Sequence, residues 1–165
     1  MKRENGVGAS TSDARGKRAA VIAARFYVEL TDQLVDGARR ALLAAGMRDA
    51  DIVVYDVDGC FELPLACQRA IDIDDVDLCV AVGVVIRGDT PHFDFVAGEC
   101  ARGIMDVQLK TRVPIGFGVL TTETLSQAAE RADPARGDKG REAAQAALSI
   151  LRIGESGTSR AGFRT

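Results

Sequence analysis

His92 is the only histidine in the chain, and it closes the run Arg87-Gly88-Asp89-Thr90-Pro91-His92. Imidazole is the side chain best suited to moving protons near neutral pH, so this run is the first place to look for acid–base chemistry. It follows an apolar stretch and precedes a helical pattern. At such a junction free main-chain N–H groups and the helix dipole favour an anion. Arg87 and Thr90 add donors, and Gly88 lets a ligand come close to the backbone. The same residues also read as an ordinary helix entry, with Asp89 or Thr90 as N-cap and Pro91 in the first turn. The run is not a P-loop, because the GxxxxGK[ST] pattern is absent.

Three further segments carry groups of chemical interest. Gly59-Cys60-Phe61-Glu62 puts a carboxylate before a helical pattern, where it either accepts hydrogen bonds from ligand hydroxyls or simply complements the helix dipole. Arg25-Phe26 offers an aromatic face for a planar ring, or a hydrophobic cap on the next helix. Arg131 and Lys139 flank one connection and together could hold a phosphate, with the guanidinium giving paired contacts; taken alone they are also an ordinary solvated surface.

The elements that must position these groups are legible from periodicity. Ala19–Ala24 is a short apolar run and reads as a buried strand. Over 27–45 the residues Leu34, Val35, Ala38, Ala41, Leu42 and Ala45 fall at helical spacing, and Gly46 stops the helix. Ile52–Val57 is a second strand, and 63–71 a short helix with Pro64 in its first turn. Leu78–Ile86 is nearly all apolar, so it is a strand buried on both faces. His92–Thr111 is a long helix with Phe93, Val96, Ala97, Cys100, Ile104 and Val107 on one face. A fourth strand is expected over 113–120, and two helices over 124–132 and 139–153. Strands alternating with helices imply parallel pairing and right-handed crossovers. The expected fold is α/β: a three-layer sandwich with a four-stranded parallel sheet, order 2-1-3-4, between helices on both faces. Ligands bind beyond the carboxyl ends of such strands, which directs attention to Arg25–Phe26, Gly59–Glu62, Arg87–His92 and Thr121–Thr122.

Composition removes several alternatives. The chain has 165 residues, the size of one domain, with 47% hydrophobic residues and a net charge of -3. That charge gives no electrostatic case for nucleic acid or an anionic membrane as partner. No apolar run approaches the ~20 residues a bilayer span needs. Residues 1–18 lack the apolar core of a signal peptide, so the expected location is cytoplasmic. Residues 1–17 and 154–165 show no periodicity and are expected to be disordered tails around a single domain at 18–153. The four cysteines (Cys60, Cys67, Cys79 and Cys100) form no CxxC pair, and one histidine makes a Cys/His zinc site improbable. They are expected to be buried reduced thiols.

Taken together, the segments resemble the lumazine synthase family. The resemblance rests on Ala24-Arg25-Phe26, on Gly59-Cys60-Phe61-Glu62-Leu63-Pro64-Leu65-Ala66, and above all on Gly83-Val84-Val85-Ile86-Arg87-Gly88-Asp89-Thr90-Pro91-His92-Phe93-Asp94-Phe95-Val96. Phe117-Gly118-Val119-Leu120-Thr121-Thr122-Glu123-Thr124 follows, running on through Gln127-Ala128 and Glu130-Arg131-Ala132 to Lys139-Gly140. The motifs stand in family order over about residues 19–150. The resemblance implies a flavodoxin-like fold and the condensation of ribitylaminouracil with dihydroxybutanone phosphate, without metal or organic cofactor.

It also implies roles. Phe26 matches the ring-stacking aromatic, and Glu62 the carboxylate that binds ribityl hydroxyls, with Gly59, Cys60 and Phe61 in the same turn. Val84, Val85 and Ile86 match the strand end whose backbone reads the pyrimidine edge. Gly88, Asp89 and Thr90 match the phosphate-binding turn, and His92 the acid/base. Phe117 matches an aromatic and Arg131 a phosphate-binding arginine, both supplied by a neighbouring subunit of a homopentamer, and Lys139 matches a nearby functional lysine. Two departures stand out: Asp58 where proline is common, and Asp133-Pro134-Ala135-Arg136-Gly137-Asp138 in place of the usual Gly-Thr-Lys-type stretch. In the family that connection influences whether pentamers build a sixty-subunit shell, so both assemblies stand as expectations. Two other functions stay in play: a non-catalytic flavin-binding or shell-forming relative, and the archaeal type of riboflavin synthase, which shares the fold.

Overall fold

Alternating apolar side chains on two central strands set the architecture. The computed structural model describes residues 13–155. Most of both expected tails, 1–12 and 156–165, lies outside the described residues. β1 (Ala19–Ala24), β2 (Ile52–Val57), β3 (Leu78–Ile86) and β4 (Ile115–Thr122) form one parallel sheet in the order β2-β1-β3-β4. Successive strand side chains point to opposite faces. Ala19, Val21 and Ala23 of β1, with Leu78, Val80 and Val82 of β3, therefore enter one core. Ala20, Ile22 and Ala24, with Cys79 and Ala81, enter the other.

α1 (Val28–Ala44), α4 (Leu125–Ala132) and α5 (Lys139–Glu155) cover the first core with Leu34, Ala38, Leu42, Ala128, Ala132 and Leu148. α2 (Leu63–Asp74) and α3 (His92–Thr111) cover the second with Leu63, Cys67, Cys100, Ile104 and Val107. Each fully buried Leu or Ile contributes roughly 1.5–3 kcal/mol by leaving water. A helix layer on each face is what a sheet with two buried central strands requires.

Element boundaries moved where local chemistry intervened. β4 starts at Ile115 and runs to Thr122 rather than covering 113–120. Pro114 has no N–H to donate, and its carbonyl accepts from Cys79 N–H at 2.9 Å, so it stands at the strand's threshold. The far end is held by the pairs Val85↔Thr121 and Ile86↔Thr122. α1 is preceded by a 3-10 turn at Arg25–Tyr27 and closed by Gly46 at φ 97. There Gly46 N–H bonds the Leu43 carbonyl and Met47 N–H the Leu42 carbonyl, a Schellman ending. α2 runs on to Asp74, ended by Asp75 at φ 50. Residues 13–17, expected as part of the first tail, are anchored at Ala14, which is fully buried and whose N–H donates to the Ala45 carbonyl at 2.7 Å.

Candidate active site

β1 and β3 are neighbours, but the chain leaves β1 toward β2 on one side and β3 toward β4 on the other. That is a switch point, where a crevice opens beyond the strand ends. The β1–β3 register stops at Ala23↔Val82, whereas the β3–β4 register continues to Ile86↔Thr122. Val84, Val85 and Ile86 therefore outrun β1 and carry a strand partner on one side only. Arg87 N–H bonds the Thr122 carbonyl at 2.9 Å, on the β4 side. Alternation along the strand then turns the main chain of Ile86 toward the open side. Val84 is buried; Val85 and Ile86 are partly buried.

Around this opening stand the turns that follow β1, β2 and β3. Phe26 is 75% exposed, with the Tyr27 ring edge-on at 5.1 Å. The turn is braced rather than free. Arg25 pairs with Asp56 at 2.7 Å and also with Asp32, and the buried Thr31 hydroxyl donates to the Ala24 carbonyl at 2.7 Å. After β2, Gly59 N–H donates to Glu62 Oε2 at 3.0 Å, so the carboxylate is oriented while Oε1 has no partner among the described residues. Phe61 beside it is 59% exposed. Cys60 turns the other way. Its thiol is buried in the second core, accepts from the Val84 main chain, and is pushed up to about 12 by that burial. Cys60 can thus offer a ligand its main chain but not its sulfur. All four cysteines are buried and unpaired, as free Cys tends to be.

The turn after β3 differs from the ordinary helix entry. α3 begins at His92, Pro91 is the N-cap, and no side chain caps the helix. Thr90 Oγ1 accepts only a long bond, 3.4 Å, from His92 N–H, and Asp89 caps nothing. Gly88, Asp89, Thr90 and His92 are all exposed. An uncapped helix start presents main-chain donors to an anion. Arg87, expected to add a donor there, is otherwise engaged: it pairs with Asp94 at 3.1 Å and Glu123 at 3.0 Å and lies 4.2 Å from the Phe93 ring centroid.

A second surface lies along the outer edge of β4. Phe117, Thr121, Arg131, Lys139 and Glu142 line a groove of about 470 Å³. Arg131 donates to the Gln127 carbonyl at 2.9 Å and has no carboxylate within ion-pair distance among the described residues. Lys139 is paired with Glu142 at 2.6 Å. The connection between α4 and α5 is pinned by buried Asp138, at φ 44, which receives Arg40 at 3.1 Å and Arg141 at 2.9 Å. Glu142 was not among the residues expected from sequence; the three-residue step from Lys139 on one helix face was the available signal for it. Thr121 lies at the end of β4, one of the strand ends to which the sequence directed attention.

The structure thus gathers the expected residues into two sets. Phe26, Glu62, the Val84–Ile86 strand end, the 88–90 turn and His92 stand at the carboxyl-end edge of the sheet, at or after the ends of β1, β2 and β3. Phe117, Arg131 and Lys139 share the β4-edge groove, whose lining includes none of Phe26, Glu62 or His92.

Fold and site together define a three-layer α/β protein with exposed turns at the ends of its parallel strands, an uncapped helix start after β3 and a separate groove along β4. Similarity to known proteins narrows this class. A model of the 6,7-dimethyl-8-ribityllumazine synthase family matches residues 16–155, and the chain belongs to that family. It is 49% identical over 136 residues to the 6,7-dimethyl-8-ribityllumazine synthase of Gemmatimonas aurantiaca, covering 82% of this chain and 83% of the relative. It is 46% identical to a synthase of that name from Thermus thermophilus, covering 87% of this chain and 91% of the relative. The Aquifex aeolicus synthase is 42% identical, with 87% and 93% covered.

Proposed function

We propose that this chain makes 6,7-dimethyl-8-ribityllumazine for riboflavin biosynthesis, condensing 5-amino-6-(D-ribitylamino)uracil with 3,4-dihydroxy-2-butanone 4-phosphate and releasing phosphate and water. The observation that carries this reading is the family match over residues 16–155. The reaction is a transferase-type condensation. The 5-amino group adds to the ketone and loses water to form an imine, removal of a proton expels the phosphate and leaves an enol that becomes a ketone, and the ribitylamino nitrogen adds to that carbonyl and loses a second water to close the ring. These steps need two substrates held together, protons moved, and a dianion stabilised as it departs. The reading assigns no metal and no cofactor.

The side chains divide the work by their chemistry. Phe26 presents its ring to the pyrimidine, and the strand end Val84–Val85–Ile86 meets the pyrimidine edge with the main-chain groups that alternation turns to its open side, those of Ile86 foremost. Glu62, oriented by Gly59 N–H, accepts hydrogen bonds from ribityl hydroxyls, with Phe61 and the Cys60 main chain in the same turn. Gly88, Asp89 and Thr90 receive the phosphate at the uncapped start of α3, and exposed His92 moves the protons. Phe117, Arg131 and Lys139 complete the site from a neighbouring subunit. The groove that holds them is separate from the crevice of their own chain, which supports a shared site. A head-to-tail contact of two different surfaces closes naturally into a ring, here a homopentamer. A sixty-subunit shell of such rings is the larger assembly to be tested. Among the described residues no helix is long and apolar enough to cross a membrane. The cytoplasm is the compartment this reading assigns.

The direct test supplies the purified protein with both substrates and follows lumazine by its absorbance. Lumazine formed only when both are present supports the synthase. Riboflavin formed from added lumazine alone points instead to the archaeal-type riboflavin synthase. No product from either, with flavin bound, points to a non-catalytic relative.

A further inference from the structure

Arg87 lies where three elements end or begin, and it touches all three. Its own position follows β3. Its NH1 and NH2 donate to the two carboxylate oxygens of Asp94 at 3.2 and 3.1 Å, in the first turn of α3. Its Nε reaches Glu123, just past the end of β4, at 3.0 Å. Its guanidinium carbon lies 4.2 Å from the centroid of Phe93, also in α3. Below it, Arg87 N–H is tied to the Thr122 carbonyl at 2.9 Å. Glu123 is held in turn, since its N–H donates to Gln127 Oε1 at 2.9 Å in α4. Between Arg87 and this anchored start of α3 lies the short exposed turn 88–91, with no side-chain cap on the helix it enters.

We propose that Arg87 is a positioning residue: a clamp that fixes the 88–90 turn for the phosphate of the substrate without itself contacting that phosphate. The inference rests on the reading, made above, that this turn receives the phosphate. The chemistry of the donors is what separates a clamp from a ligand. Three of the guanidinium's nitrogens are spent on two carboxylates, in the planar forked geometry that lysine cannot reproduce. Its positive charge is matched by Asp94 and Glu123, so it offers a dianion little net attraction. The two ion pairs are solvent-exposed and add little to global stability. Their effect is local: the Asp94 pair joins the last residue before the turn to the first turn of the helix after it, and the Glu123 pair ties that residue to the end of β4. Pro91 stiffens the turn at its helix end by fixing φ, while Gly88 contributes no side chain at the strand end, where Arg87 stands.

The clamp and the ligand readings predict opposite signs for one variant. In the double variant Asp94→Asn, Glu123→Gln, two negative charges leave the neighbourhood of the anion and Arg87 is released. A phosphate-binding Arg87 would then tighten binding of the phosphate substrate and of inorganic phosphate. A clamp would lose its anchors and loosen both. We expect the KM for dihydroxybutanone phosphate to rise about tenfold, a loss of about 1.4 kcal/mol, and the inhibition constant for inorganic phosphate to rise with it. KM for the pyrimidine should stay within twofold. Arg87→Met should show the same split and should not add to the double variant, because groups acting as one unit are non-additive. Arg87→Lys, which keeps the charge and spares the fold, should recover only part of the loss. Thr90→Val separates this inference from the reading beneath it. If Thr90→Val raises the phosphate-substrate KM while the double variant leaves it unchanged or lowers it, the clamp is refuted and the turn stands. If Thr90→Val changes nothing, the turn does not bind phosphate and the clamp falls with it.

Discussion

At the scale of single residues, the proposed chemistry turns on two groups with unlike surroundings. His92 is exposed at the first position of α3 and holds no core contact. His92→Ala should therefore leave folding intact and slow turnover. General acid–base catalysis is worth ~10²–10⁴-fold; the low end or less is expected, since holding two reactants together supplies much of the rate. An unchanged turnover number would remove His92 from the mechanism. Arg131 is the cation of the β4-edge groove that lacks a carboxylate partner, whereas Lys139 is matched by Glu142. Only one substrate carries a dianion, so Arg131→Ala should raise the KM for that substrate tenfold or more by roughly the strength of a charge-assisted hydrogen bond, 1.5–3 kcal/mol. Arg131→Lys should restore part of it, having the charge without the fork. Equal weakening of both substrates, measured by separate titrations, would make Arg131 a structural residue.

At the scale of elements, the groove exists because α5 lies close on α1 and β4. Gly140 makes that approach possible: a Cβ built there would stand 2.0 Å from the Leu34 carbonyl oxygen, main chain that cannot swing aside. Asp138, two residues earlier, holds the same junction through Arg40 and Arg141. Gly140→Ala should therefore force α5 away from α1. Overpacking of this kind costs typically ~1–3 kcal/mol. In a urea melt the midpoint should fall with the slope unchanged, and Arg131 and Lys139, carried by the displaced elements, should lose phosphate affinity as well. A midpoint equal to the parent's would mean that the junction is slack.

At the scale of the whole molecule, the two half-sites predict that activity belongs to an interface. A chain carrying Phe26→Ala and Glu62→Ala should be inactive, as should a chain carrying Arg131→Ala. When the two are mixed and their subunits exchange, some interfaces regain two intact halves, and activity should return. Verified mixed rings as inactive as their parents would exclude a shared site. Sedimentation of the same samples reads out whether assembly stops at the ring.

The sequence by itself determined the periodicity and therefore the elements: β1, β2, β3 and α3 begin and end where their apolar patterns do. Parallel order followed from strand–helix alternation, and the crevice followed from parallel order. The local motifs marked the turns that follow the strands, because a strand end followed by a helix start has few geometries. What pattern could not decide was set by contacts between residues far apart in the chain. The inward turn of Cys60, the burial of Ala14 beneath Ala45, and the pinning of Asp138 by Arg40 each depend on a partner that periodicity does not encode. The same holds for Arg87. Its type and place suggested a donor for an anion, but Glu123 lies 36 residues away and reaches it only because β3 and β4 pair side by side. A side chain's free charge is a property of its neighbours in space, and only tertiary structure brings those neighbours together.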